Sequence, residues 1–130
     1  MILLDTHVVI WMAQNQQRIS SRARDAINGT REGAQGLAVS SMTLLELARL
    51  ASQKRLEFEP NLEDFLLSVE RRFAVLPITA RICVQAFEFP ATYPKDPADR
   101  VIGATAVIEG LELVTADQAI RRSKAVSTIW

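Results

Sequence analysis

The chain has 130 residues, 48% of them apolar, enough to bury one core of ordinary size and pointing to a single domain. Fifteen basic residues balance fifteen acidic ones, which argues against a protein that coats nucleic acid by bulk charge and leaves room only for a local basic patch. One histidine and one cysteine rule out an internal disulfide and the usual His/Cys zinc site, so any metal has to be held by oxygen.

In chain order, "MILL" is a short apolar run ending at Asp5, the signature of a buried strand. A short helix is expected from His7 to about Met12, then the polar loop "AQNQQ". "SSRARDAINGT" reads as a surface helix capped by Ser20 or Ser21 and stopped at Gly29. "GLAVS" is a second strand, and "SMTLLELARLASQKR" spaces Leu44, Leu47, Ala48 and Ala51 as a helix does. Beyond Pro60, "NLEDFLLSVERR" sets Leu62, Phe65, Leu66 and Val69 along one side of another amphipathic helix. "FAVLPI" is a third strand, and Thr79 opens the helix "ARICVQAFEF", in which Cys83 reads as a buried thiol. "PATYPKDP" is the longest loop, and the helix from about Pro97 to Glu109 ends at Gly110. "LELVT" is a fourth strand, "ADQAIRRS" a short helix and "VSTIW" a candidate fifth strand.

Nothing divides the chain, so residues 1–130 are expected to form one domain. Short apolar strands alternating with helices imply a three-layer α/β domain: a parallel sheet of four to five strands with helices on both faces. Such folds place ligands beyond the carboxyl ends of the strands. No apolar run approaches a membrane span and no secretory leader opens the sequence, so a reducing, cytoplasmic setting is expected.

The ligand edge of such a sheet is where the acids fall. Asp5 ends the first strand, Asp117 follows the fourth, and Asp96 and Asp99 open the helix that leads towards it. Glu46 lies about a turn into the helix after the second strand. Each acid alone has a capping explanation. Asp96 with Pro97 is good helix-start chemistry, Asp5 or Thr6 and Asp117 suit N-caps, and Thr43 to Glu46 matches a capping box. Together they would crowd like charges on one sheet edge, which raises their pKa values and costs stability unless a cation sits among them. Hard oxygen ligands suit Mg²⁺ or Mn²⁺, and such an ion suits phosphoryl chemistry. With no P-loop and no Gly-rich dinucleotide fingerprint, a phosphodiester is the leading substrate class.

"LLDTHVVIW", "VSSMTLLELA", "KDPADRVIGATAVIEGLELVTAD" and the final "IW", in that order, resemble the PIN-domain proteins, and among them the VapC-type toxins of type II toxin–antitoxin modules. The resemblance covers nearly the full chain and is least distinctive over residues 53–75. It implies a PIN-like α/β/α sandwich and a Mg²⁺- or Mn²⁺-dependent endoribonuclease that cleaves RNA by a metal-activated water. It also implies inhibition by a cognate VapB-like antitoxin and, commonly, a homodimer. By motif the acids are Asp5 in "LLDTH", Glu46 in "LLELA", Asp99 in "DPADRVI" and Asp117 in "VTAD". Asp5, Glu46 and Asp99 are expected nearest the metal, with Asp117 acting through water or a second ion. Asp96 is an additional candidate ligand, as in "RDPFDR"-like members, although Lys95 stands here before it. Thr6 and Thr115 are candidate hydroxyls for orienting the carboxylates.

For RNA contact the candidates are Arg100, beside the acid edge, and Arg121, Arg122 and Lys124 in "AIRRSK". A solvated face explains the same residues. His7 and Trp11, one turn apart, read either as a core pair or as a base-stacking platform. Two rivals from other enzyme and signalling classes lack residues they need. A haloacid-dehalogenase-type phosphatase requires an acid two positions after Asp5, where His7 stands. A receiver domain requires an acidic pair after the first strand and an acid after a central one, where "VLPI" is followed by Thr79. A degenerate domain that keeps the fold as a binding module is the remaining alternative.

Overall fold

A computed structural model describes residues 1–33 and 35–130. Strand β1 (Ile2–Leu4) is wholly buried, and its two neighbours run parallel to it: β2 (Leu37–Ser40) on one side and β4 (Leu113–Val114) on the other. With β3 (Ala74–Leu76) outside β2 and β5 (Thr128–Ile129) outside β4, the order is β3-β2-β1-β4-β5, all parallel. The chain builds outward from β1 in one direction, then returns to build in the other. The break falls between β1 and β4, and ligands of open α/β sheets bind in the crevice at such a switch point.

Side chains alternate across the sheet, so Leu3 and Leu4 enter different cores. Leu4, Val39 and Val114 pack with Val8, Ile19, Ile27, Leu47, Val69 and Phe73, under helices α1 (Thr6–Gln14), α2 (Ser21–Glu32), α3 (Ser41–Ser52) and α4 (Leu62–Arg72). Leu3, Ala38 and Leu113 pack on the other face with Tyr93, Ile102, Ala106 and Ile120, under α6 (Pro97–Glu109) and α7 (Gln118–Ser123). Helix α5 (Ala80–Ala86) lies against α6 through Ile82, Ala86 and Ala104. These are the three layers that the strand–helix alternation implies. Among the described residues no helix is long and apolar enough to cross a membrane.

Register decides which residues meet at the carboxyl edge. Leu4 stands opposite Val39 and Val114, so the residues that follow, Asp5, Ser40 and Thr115, leave the sheet together. The Asp5 amide still donates to Val114 O, at 3.0 Å. Helices then start at once: Asp5 caps α1, Ser40 caps α3 and Asp117 caps α7.

Four local expectations are corrected. Helix α2 passes through Gly29 and ends at Gly33, because an exposed glycine costs a helix only about 1 kcal/mol against alanine and is a weak stop. Helix α1 runs on to Gln14, and Gln16–Arg18 form a 3-10 turn, so the "AQNQQ" loop is shorter than expected. The capping box at Thr43 does not form: Ser40 Oγ accepts from the Met42 amide at 3.1 Å, and Thr43 lies inside the helix, fully buried. Cys83 is exposed, since Ile82 and Ala86, one turn apart, take the buried stripe of α5 and rotate their neighbour outward.

Candidate active site

Asp5 is buried beneath the crevice at the switch point, 3% exposed, and both its oxygens are engaged. Oδ1 accepts from the Thr6 amide at 2.8 Å, and Oδ2 accepts from Thr115 Oγ1 at 2.7 Å. Thr115 Oγ1 accepts in turn from the Asp117 amide at 3.1 Å, so one hydroxyl ties two of the acids together. Asp117 Oδ1 caps α7 by accepting from the Ile120 amide at 3.0 Å. His7 presents Nδ1 to Asp5 Oδ2 at 3.5 Å, while its Nε2 accepts from the Ala116 amide at 3.1 Å. That second bond requires an unprotonated Nε2 and turns the ring's proton, on Nδ1, towards Asp5.

Asp99 arrives from the opposite wall, in the first turn of α6. Asp96 Oδ1 caps this helix, accepting from the Ala98 amide at 2.8 Å and the Asp99 amide at 3.2 Å, with Pro97 at the first helical position. The buried Tyr93 hydroxyl donates to Asp99 O at 2.6 Å and fixes the turn from below. Burial first, and then the charges of Asp5, Asp96, Asp117 and Glu46, together push the Asp99 carboxyl up to about 7. Tyr93 is held above its ordinary range by its burial and then by Asp99, Asp5 and Asp117.

Glu46 comes from α3, and it lines a cleft of about 380 Å³ with Asp96, Met42 and Pro97. Its only ion pair among the described residues is to the half-exposed Arg49, at 3.6 Å, a contact worth little. No Lys or Arg among the described residues stands within 4 Å of Asp5, Asp96, Asp99 or Asp117. Five carboxylates therefore converge with one half-exposed guanidinium, on Glu46, as their only Lys or Arg partner among the described residues.

No three of the described Asp, Glu, His or Cys side chains are gathered tightly enough to enclose one ion unaided. Mg²⁺ does not need such a cage: it keeps several waters and is held by one or two carboxylates together with substrate phosphate. An oriented, buried Asp5 facing further acids, only one of which has a Lys or Arg partner among the described residues, fits an ion of that kind.

The sequence-derived candidates separate here. Asp5, Glu46, Asp96, Asp99 and Asp117 come together, and the caps assigned to Asp5, Asp96 and Asp117 are also real. Thr115 orients a carboxylate with its hydroxyl, but Thr6 does so only with its amide, its hydroxyl being paired with Thr43 Oγ1 at 3.1 Å. Arg100 is half-buried, and its Nη1 donates to Ala86 O at 3.1 Å, clamping the end of α5. Arg121, Arg122 and Lys124 line an open cleft one turn and more beyond Asp117. Trp11 packs against the main core, so the His7–Trp11 pair is structural first. Tyr93 and Thr43 carry positioning roles that the sequence reading missed. Its one signal was polar groups standing where buried ones were due, in a loop and inside a helix.

Residues 2–125 match the model of the PIN domain. The chain belongs to the PIN-domain family. Within that family it is 37% identical to Ribonuclease VapC22 of Mycobacterium tuberculosis over 99% of this chain and 98% of that one. In fold it is similar to VapBC2 from Rickettsia felis, solved bound to a promoter DNA fragment, with TM-score 0.73, 16% identity and 98% and 97% of the two chains covered. It is likewise similar to DNA-bound VapBC from Salmonella typhimurium, with TM-score 0.70, 24% identity and the same coverage.

Proposed function

We infer that the protein is an endoribonuclease acting as the toxin of a VapBC-type toxin–antitoxin pair, and that its acids work by holding Mg²⁺ or Mn²⁺. One observation carries the chemistry: carboxylates from four elements meet at the sheet's switch point, and among the described residues the half-exposed Arg49, on Glu46, is the only Lys or Arg paired to any of them. The near-full-length likeness to a ribonuclease supports RNA as the substrate. The solved relatives are toxin–antitoxin complexes, which supports a VapB-like partner. A cytoplasmic setting and a homodimer accompany this reading.

Asp5, Glu46 and Asp99 are assigned to hold the ion, with Asp117 and Asp96 at its margin. A bound divalent ion supplies Lewis-acid polarisation of the phosphodiester and acidifies a water. The protein supplies placement. Thr115 and the Thr6 amide fix Asp5, Tyr93 fixes the turn that carries Asp99, and the Asp117 cap fixes the rim of the crevice. In hydrolysis a water oxygen bonds to phosphorus while the bond from phosphorus to the leaving ribose oxygen breaks. The negative crevice repels the scissile phosphate until cations neutralise it, so that phosphate and the ion are expected to enter the crevice together, while flanking RNA binds outside it.

The phosphatase alternative is weakened further, because His7 occupies the required acidic position and its ring is committed to Asp5 and the Ala116 amide. The test is incubation of the purified chain with labelled RNA, with and without its cognate antitoxin. Endonucleolytic fragments that vanish when the antitoxin is added are expected. Intact RNA across a pool of cellular RNAs, from a folded chain that still binds Mn²⁺, would favour the binding-module reading.

A further inference from the structure

Beyond the acids, α7 turns its basic residues into a cleft of about 590 Å³ against β5 and the start of α2. It is lined by Arg22, Arg121, Arg122, Lys124, Gln118 and Trp130 among others, with no acid in its lining. In a chain with no net charge, four of fifteen basic residues gathered on one cleft is a strong local departure. The aromatic side is braced from behind. Trp130 packs on Trp11 with ring centroids 5.7 Å apart, Trp11 packs on His7 at 4.8 Å, and the Arg18 guanidinium covers Trp11 at 4.5 Å. Since His7 is bonded to the Ala116 amide and points at Asp5, this aromatic row runs from the acid crevice to the cleft. Helix α7 makes the same connection: Asp117 caps it, and Arg121 follows one turn later.

We propose that this cleft is the track for the single-stranded RNA flanking the cleaved bond, with phosphates against Arg22, Arg121, Arg122 and Lys124 and a base stacked on Trp130. The proposal rests on the ribonuclease reading for its substrate. Cations along a groove beside an aromatic platform are the usual way of gripping a single strand without regard to sequence. A duplex offers no free base face to Trp130, so single strands are preferred. Arg122 donates to Gln118 Oε1 at 3.1 Å on this exposed face, one turn back along α7.

Binding, not cleavage, is the test, so that this proposal and the ribonuclease reading fail separately. A fluorescent single-stranded RNA of about ten nucleotides is titrated in EDTA at several salt concentrations. The proteins are the wild type, Arg121→Gln/Arg122→Gln/Lys124→Gln, Trp130→Ala and Trp130→Phe, each shown by circular dichroism to be folded. Each lost phosphate contact should flatten the slope of log K against log salt by about 0.7. Trp130→Ala should weaken binding about 5- to 100-fold at unchanged slope, and Trp130→Phe should restore most of it. Unaltered affinity and slope in the folded triple variant would overturn the track. So would duplex RNA binding as tightly as single strands.

Discussion

Thr115 is a small residue with an outsized geometric role. Its hydroxyl holds Asp5 Oδ2 and receives the Asp117 amide, deep in the fold. Thr115→Val keeps the shape and removes both bonds, so it should cost about 1 to 3 kcal/mol in urea unfolding and lower RNA cleavage at unchanged RNA affinity. Asp99 behaves in the opposite sense. Its carboxyl titrates near 7 in the fold against 3.8 in a free chain, so its contribution to stability is full below about pH 4 and lost as pH rises through about 7. Asp99→Asn should therefore melt higher than the wild type at pH 8 without metal, while the two converge at pH 4. Metal competes with the proton at this group, so Mn²⁺ affinity measured by calorimetry should rise as pH climbs through about 7 and flatten above it. A pH-independent affinity would remove Asp99 from the ion. These five acids were legible in the sequence because each follows a strand, opens a helix or, for Glu46, lies little more than a turn into one. The Thr115 hydroxyl was legible with them, but Thr43 and Tyr93 were not, since they act through bonds that their local sequence does not specify.

Among the elements, α6 has to place Asp99 to within a fraction of an ångström. It is capped by Asp96, ended by Gly110 in the left-handed region (φ 65°), and packed on Tyr93 through Gly103. A Cβ at Gly103 would overlap the Tyr93 hydroxyl and press on the Phe89 ring at 3.3 Å. Gly103→Ala should push Tyr93 off Asp99 O, and overpacking of this kind costs about 1 to 3 kcal/mol. Cleavage should fall with it, and Tyr93→Phe in the same chain should restore part of the stability but little of the activity. The boundaries of α6 were readable from Pro97 and Gly110, because both carry a backbone reason to stand there. Helix α2 was misjudged at Gly29 for the converse reason: its φ is ordinary and only the surface surrounds it.

For the whole molecule, the sheet order explains why neutral bulk composition and a charged function coexist. Building outward from β1 in both directions leaves one crevice, and the strand ends deliver acid to it while α7 leads basic residues away. Alternation of strands and helices conveyed the layers, but the burial of Cys83 turned on a helix stripe only one turn wide and was misjudged. The most direct measurement is RNA cleavage by the purified, antitoxin-free chain in Mg²⁺, Mn²⁺ or EDTA, beside Asp99→Asn. Ion-dependent cleavage that falls about 100-fold or more in the variant is expected, because losing even the groups that orient metal ligands costs about 10- to 100-fold. Undiminished cleavage in EDTA, or by Asp99→Asn, would contradict an acid site that works by holding metal.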